Sequence, residues 1–271
     1  MMSYRMIVLD LDGTLTNSEK IITERTKKAL FMAQEQGVKV VLASGRPTYG
    51  IVPLAKELEL ERYGSYILSF NGAKIINCQT KEVVFQRTLP AELIPTLIDL
   101  ADKYQVDFLT YKEEDILASN GNSPYVKIES KINKMPVRAM ESPKETITFP
   151  IPKILMVGEG EYMASVEPKI QEATHELLSV YRSEPYFLEI MPKGIDKATS
   201  LERLLECTGI RREEMIACGD GFNDLSMIQY AGLGVAMENA QNLVKQYADY
   251  ITSSNDEDGV AKVVEKFILN C

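Results

Sequence analysis

Histidine is almost missing from this chain: His175 is the only one in 271 residues. A single imidazole rules out a His-rich zinc site and argues against a Ser-His-Asp triad. It lies in Glu172-Ala173-Thr174-His175-Glu176, a helical pattern that predicts a surface position. The four cysteines (Cys78, Cys207, Cys218, Cys271) form no C-x-x-C pair. They read as free thiols in a reducing cytosol, with Cys218 buried in a strand. Positive charge is also in short supply, with 30 Lys and Arg against 39 Asp and Glu, a net charge of -9 and a pI near 4.9. A nucleic-acid partner therefore gets no electrostatic support. No apolar run approaches the roughly 18–20 residues of a membrane span. Asp10 and Asp12 interrupt the only apolar stretch near the N-terminus, so no signal peptide is expected and the cytoplasm is the expected location. There is no Walker A and no G-x-G-x-x-G, which removes the main support for P-loop and dinucleotide-binding readings. Catalysis in such a chain is expected to run on carboxylates, lysine and a hard metal.

Carboxylates are what the sequence does hold, and in a telling place. Met6-Ile7-Val8-Leu9 reads as a fully buried strand and runs straight into Asp10-Leu11-Asp12-Gly13-Thr14. Charge at the end of a buried strand costs several kcal/mol unless it is compensated. In an open α/β sheet, ligands bind in the crevice outside the carboxyl ends of the strands. Two carboxylates there, beside a glycine that lets the chain turn, suit a divalent cation and a nucleophile or acid. An ordinary Asp-Gly turn closing a strand is the alternative. A calcium loop is not, because Gly13 comes too early and Ile21 stands where a Glu is needed.

Strand–helix alternation organises the first eighty residues: strand 5–9, helix 23–36 ended by Gly37, strand 38–43, a helix opened by Pro47, strand 66–69, and a small hairpin over 73–77 and 82–85. This spacing argues a doubly wound, mostly parallel sheet. From about 86 the pattern becomes α+β. Helix 91–104, strands 106–111 and 115–118, a helix near 123–133, strand 136–139, a proline-rich loop 141–152, strand 153–157, helix 161–177 and strands 179–182 and 187–190 are expected. The α/β texture then returns with helix 197–207, strand 215–218, short strands 233–237 and 250–252, and helix 258–268. The expected organisation is therefore a core of 1–85 and 189–271, with 86–188 inserted as a second domain.

Three more stretches share the character of the first: Ala43-Ser44-Gly45-Arg46, Pro192-Lys193-Gly194-Ile195-Asp196-Lys197, and Gly219-Asp220-Gly221-Phe222-Asn223-Asp224. Together, and in this order, the four resemble the haloacid-dehalogenase (HAD) superfamily and, within it, the Cof-type sugar-phosphate phosphatases. The resemblance spans essentially the whole chain and takes in Val235-Ala236-Met237-Glu238-Asn239-Ala240 and Asn255-Asp256-Glu257-Asp258-Gly259-Val260. Glu238 departs from it, since a glycine is expected there, and adds a charge near the crevice.

The resemblance implies a Rossmann-like core with a large α/β cap, and a Mg²⁺-dependent phosphatase working through an aspartyl-phosphate. Asp10 would be the nucleophile and Asp12 the general acid and base. Mg²⁺ would be held by Asp10, the backbone carbonyl of Asp12 and Asp220, with Asp224 holding a ligand or water. Lys197, Ser44, Gly45, Asn223 and the Leu11 amide would bind the phosphoryl group. A carboxylate at position 12 is what the superfamily's dehalogenases and ion-pumping ATPases lack, which points to phosphatases and phosphomutases. The cap would close over the crevice and favour a small phosphorylated metabolite, sugar phosphates first, with no nucleic-acid or membrane partner. A phosphotransferase or mutase, and a non-catalytic regulator that binds a phosphometabolite, remain as alternatives.

Overall fold

The computed structural model describes residues 4–175 and 177–270. In chain order its strands are β1 (Met6–Leu9), β2 (Lys39–Ala43), β3 (Tyr66–Ser69), β4 (Lys74–Asn77), β5 (Val83–Gln86), β6 (Asp107–Lys112), β7 (Asp115–Ala118), β8 (Val137–Ala139), β9 (Ile154–Val157), β10 (Leu178–Glu184), β11 (Phe187–Pro192), β12 (Met215–Gly219), β13 (Leu233–Ala236) and β14 (Tyr250–Ile251). The helices are α1 (Glu24–Glu35), α2 (Thr48–Glu57), α3 (Ile94–Lys103), α4 (Pro124–Asn133), α5 (Pro143–Thr146), α6 (Gly160–Ala173), α7 (Lys197–Thr208), α8 (Leu225–Tyr230), α9 (Asn242–Tyr247) and α10 (Gly259–Val264).

The chain forms two compact units, Met1–Phe85 with Asp196–Cys271, and the inserted Gln86–Ile195. The first is built on an eight-stranded sheet in the order β14-β13-β12-β1-β2-β3-β4-β5. Its strands are parallel from β14 to β3, and β4 turns back antiparallel to β3. Both faces are covered, which is why its strands read as unbroken apolar runs rather than as alternation. Ile7, Leu9, Val40 and Leu42 face a core shared with Leu30 of α1, Ile51 of α2 and Val260 of α10. Met6, Val8, Val41 and Ala43 face the other, with Leu201 and Leu204 of α7 and Met227 of α8. The order of connection reverses at β1: β2 and β3 build out on one side, β12 to β14 on the other. Such a reversal opens a crevice at the strand ends.

The inserted unit carries a six-stranded sheet, order β10-β11-β9-β6-β7-β8. It is antiparallel except for the β7–β8 pair. Phe108, Met156, Leu188 and Ile190 of the sheet pack with Leu97 and Ile98 of α3 and Met163 and Val166 of α6. The return to the first unit falls at 195/196 rather than at the expected 188/189. The reason is β11, which continues to Pro192 and pairs with β10 along its whole length, so these residues belong to the inserted sheet.

Other differences are local. The proline-rich loop holds a single helical turn, α5, with Pro143 at its first position, where a missing N–H costs nothing. Helix α6 ends at Ala173, and His175 is an exposed residue of the following turn with φ 47°. Helices α8 and α9, six residues each, were not expected. The C-terminal helix tightens to α10 and continues as a π-helical turn, Glu265–Leu269. Of the thiols, Cys78 and Cys218 are buried and Cys207 is exposed, all three unpaired; Cys271 and the Glu176 part of the expected helix lie outside the described residues. Among the described residues no helix is long and apolar enough to cross a membrane.

Candidate active site

Asp10 is the first residue beyond β1, Ser44 the first beyond β2, and Asp220 the first beyond β12. Parallel pairing of these three neighbouring strands brings their ends to one side of the sheet. Lys197 arrives from α7, whose start is fixed by Asp196: its carboxylate caps the helix by accepting from the Thr199 amide at 2.7 Å. A helix N-terminus is an unfavourable place for a cation, and Lys197 is fully buried as well. What compensates it is visible in its contacts. Its Nζ donates to Asp10 Oδ1 at 2.6 Å, Asp224 Oδ1 at 2.5 Å and the Ala43 carbonyl at 2.8 Å, using all three ammonium protons. Burial pulls the Lys197 ammonium down, but the Asp10 and Asp224 charges outweigh it and hold it above its ordinary range.

Asp224 is fully buried, and its other oxygen, Oδ2, accepts from the Asp220 and Gly221 amides, each at 2.9 Å. It therefore shapes the 219–221 loop and orients Lys197 at once. Asp220 receives a hydrogen bond from Thr14 Oγ1 at 2.8 Å. Gly13 permits this approach in two ways. Its φ of 87° is one that side chains rarely adopt, and a Cβ there would collide with the Asp220 carboxylate.

Oxygens of Asp10, Asp220 and Asp224 lie within 4.8 Å of one another. Three carboxylates face one ammonium, so negative charge is left over. That surplus adds to the effect of burial on Asp10 and Asp220. Burial pushes the Asp10 carboxyl well up, and Asp224 adds to it against the pull of Lys197. Burial likewise lifts Asp220 to about 6, opposed by the Thr14 hydrogen bond and helped by Asp224. A compact all-oxygen cluster with surplus negative charge fits a hard divalent cation. Asp10 and Asp220 are the residues placed to hold one, because both Asp224 oxygens already accept hydrogen bonds.

Asp12 stands apart from that cluster. Arg46 grips its carboxylate with two bonds, Nε to Oδ2 at 2.8 Å and Nη2 to Oδ1 at 2.6 Å. Lys20 Nζ adds a third at 2.9 Å. Burial pushes the Asp12 carboxyl up, but the Arg46 and Lys20 contacts outweigh it and hold it below the ordinary range. Ser44 is buried, and its hydroxyl accepts from the Arg46 amide at 3.2 Å, which orders the 44–46 turn. Gly45 lies against Asn71, whose side-chain oxygen would be 3.1 Å from a Cβ at that position. The same oxygen accepts from Asn223 Nδ2 at 3.3 Å. Leu11 is buried, and its carbonyl accepts the Thr16 amide at 2.9 Å, folding the chain back beneath the two aspartates.

The structure thus gathers Asp10, Lys197, Asp220 and Asp224 directly, and brings Gly45 and Asn223 together through Asn71. Sequence reasoning gave no role to Arg46, Lys20, Thr14 or Asn71. Arg46 stood inside a motif singled out above, yet its pairing with a residue 34 positions away is set by loop geometry alone. Asn71 had a signal, an Asn-Gly after a strand, which is the place of a left-handed residue (φ 51°).

Residues 7–264 match the model of the haloacid dehalogenase-like hydrolases. The chain belongs to that family. Three similarities sharpen the assignment. A solved haloacid dehalogenase-like hydrolase from Bacteroides thetaiotaomicron is 52% identical, covers 97% of this chain and 99% of its own, and superposes with a TM-score of 0.94. A solved HAD subclass IIB sugar phosphatase, BT4131, is 28% identical over 97% of this chain and 98% of its own, with a TM-score of 0.80. The 5-amino-6-(5-phospho-D-ribitylamino)uracil phosphatase YcsE of Bacillus subtilis (strain 168) is 32% identical over 98% of this chain and 96% of its own. This protein is accordingly a HAD-type phosphatase of the Cof kind, with the α/β fold of that family.

Proposed function

We propose that the protein is a Mg²⁺-dependent phosphatase of small phosphorylated metabolites, sugar and other polyol phosphates first among them. The observation that carries this is the buried cluster in which Lys197 bonds both Asp10 and Asp224 beside Asp220. A single ammonium leaves that cluster with surplus negative charge, which a divalent cation would balance. Asp10, Asp220 and the Asp12 backbone carbonyl would hold the ion, with Asp224 holding a ligand or water. When bound, the ion neutralises phosphoryl charge and templates in-line attack.

The chain's own residues do the rest. Asp10 attacks phosphorus, the ester oxygen leaves with its electron pair, and the phosphoryl group resides on the Asp10 carboxylate. Lys197 opposes the upward push that burial gives Asp10 and keeps it aimed, and its charge lies beside the oxygens that gain negative charge in the transition state. Ser44, the Gly45 and Leu11 amides and Asn223 hold the phosphoryl oxygens. Asp12 gives a proton to the leaving alcohol and then takes one from the water that hydrolyses the intermediate. Gripped by Arg46 and Lys20 it is an ionised carboxylate, the form a base needs; to serve as acid it must first take up a proton. A bound phosphate dianion, which attracts the same two cations, provides a reason for it to do so.

For the substrate, support comes from two relatives, one named for a sugar phosphate and the other for a ribityl phosphate. The inserted unit is proposed as the part that selects the ester, since Asp10, Asp12, Ser44, Lys197, Asp220 and Asp224 all lie outside it. Buried unpaired thiols at Cys78 and Cys218 support placing the protein in the reducing cytoplasm.

A phosphate-release screen over sugar phosphates, pyridoxal phosphate, flavin mononucleotide and nucleotides tests the reading. Stoichiometric inorganic phosphate from a polyol ester, abolished by chelator and restored by Mg²⁺ but little by Ca²⁺, is expected. Full turnover in excess chelator would sink the mechanism. Transfer to a sugar acceptor without free phosphate would make the protein a phosphotransferase.

A further inference from the structure

The loop after the nucleophile, residues 13–23, carries Lys20 to Asp12; Leu15 and Ile22 anchor it in the core, yet its tip, residues 17–21, has little of its own to hold it in place. Left-handed residues stand at its start, Gly13 at φ 87°, and in its exposed tip, Lys20 at φ 63°. Ser18, Glu19, Lys20 and Ile21 are all exposed, Ile21 by 51%. Internally the tip is closed by Asn17, whose side-chain oxygen accepts from the Glu19 and Ile21 amides, each at 3.1 Å. An exposed tip with few buried apolar contacts opens readily unless something outside it holds it.

That something is the C-terminal part of the chain. Asn239 Nδ2 donates to the Gly13 carbonyl at 2.8 Å. Asn255 Nδ2 donates to the Thr16 carbonyl at 2.9 Å. The Asp256 carboxylate takes Ser18 from two sides, its Oδ1 accepting the Ser18 amide and its Oδ2 the Ser18 hydroxyl, each at 2.7 Å. Thr23 Oγ1 donates to Asp258 Oδ1 at 2.5 Å. The first two attachments are coupled, because Asn239 Oδ1 accepts the Asn255 amide at 3.1 Å. Four points along one loop, from Gly13 to Thr23, are thus tied to residues 239–258, in addition to the bond from Thr14 to Asp220. Residues 255–260 belong to a stretch the sequence reading had singled out without assigning it any work.

We propose that Asn239, Asn255 and Asp256 are positioning residues for Asp12: they hold the 13–23 loop where Lys20 and Arg46 can keep the Asp12 carboxylate on its proton path. This rests on the phosphatase reading above, in which Asp12 serves the leaving group. The ties themselves do not depend on it.

The test uses the full-length chain and the variants Asp256→Ala, Ser18→Ala and Asn255→Ala, with Asp256→Glu as a conservative control. Two readouts separate the parts of the claim. Amide hydrogen exchange across residues 13–23 should speed up about tenfold in Asp256→Ala and less in Ser18→Ala, with melting temperature nearly unchanged and partial recovery in Asp256→Glu. Single-turnover phosphorylation of Asp10 should slow roughly three- to tenfold for glycerol phosphate, whose alkoxide needs a proton, and less than twofold for 4-nitrophenyl phosphate, whose phenolate does not. Unchanged exchange in Asp256→Ala and Asn255→Ala would overturn the clamp. Faster exchange with equal slowing on both esters, or with none on either, would overturn its link to Asp12. A wild-type protein that turns over neither ester would refute the phosphatase reading itself, whatever exchange shows.

Discussion

The two units bury charge in opposite ways. In the inserted unit, Lys153 and Glu189 are both buried and form an ion pair at 3.4 Å. Tyr181 adds a hydroxyl to Glu189 at 3.2 Å. Buried Glu129 accepts from the Tyr111 hydroxyl at 2.6 Å and from Asn133 Nδ2 at 2.8 Å. Burial, reinforced by Glu129 and Glu189, lifts the Tyr111 hydroxyl far above its ordinary range, so it stays a donor. Each of these carboxylates is met by donors within its own unit. In the core unit Asp10, Asp220 and Asp224 share one lysine, and burial, with the Asp224 charge added, drives the Asp10 and Asp220 carboxyls toward protonation. Buried charge that is matched locally is structure; buried charge left in excess is a demand for a ligand. The comparison separates the reacting centre from a scaffold that a count of buried ionisable groups would have placed beside it.

The largest expected effect tests the unmatched side. Asp10→Asn removes both a nucleophile and a negative charge, so turnover should fall by several orders of magnitude while the fold and melting temperature persist. Steady-state phosphate release on any accepted ester checks this. A variant that keeps more than about a tenth of wild-type activity would move the nucleophile elsewhere.

Lys197→Met comes next, and it makes the imbalance worse. It leaves Asp10 and Asp224 buried with no ammonium, and losing one partner of a buried ionic set costs about 3–5 kcal/mol. Urea unfolding without metal should show a loss of that order, with activity down at least a hundredfold. A loss below about 1 kcal/mol would mean that solvent already screens the cluster.

The inserted unit supplies the small effect. Tyr111→Phe removes one hydrogen bond to a buried carboxylate and should cost about 1–3 kcal/mol in stability. Turnover of 4-nitrophenyl phosphate and its Mg²⁺ dependence should stay within about threefold of wild type. A hundredfold fall at unchanged stability would place Tyr111 in the chemistry and erase the distinction between the units.

How much was legible beforehand follows the same line. Asp10, Lys197 and Asp220 stood out because each follows a buried strand or opens an expected helix, where a charged residue needs a reason to be, and Asp224 came with the stretch that follows β12. Asp12 was readable as a carboxylate, but not as one gripped by Arg46 and Lys20, since those contacts depend on how two loops fold over each other. Helices α8 and α9 escaped notice because six residues make less than two turns, too few for an apolar stripe to declare a period. The insertion ends later than expected because β11 runs on through Met191 and Pro192, past the strand expected at 187–190. Local pattern carried the elements; pairings across 34 or 240 residues did not show in it.

The central claim is that the Asp10–Asp220–Asp224 cluster is short of a dication, and Mg²⁺ titration of the thermal transition tests it most directly. At pH 7.5 wild-type protein should gain several degrees with millimolar Mg²⁺. Asp220 holds its proton up to about pH 6, and a proton competes with the metal, so the gain should shrink at pH 5. Asp220→Asn should be more stable than wild type without metal, because it relieves the excess charge, and should gain little from Mg²⁺. A wild-type transition that ignores Mg²⁺ at pH 7.5, or an Asp220→Asn variant that responds to it as wild type does, would contradict the account.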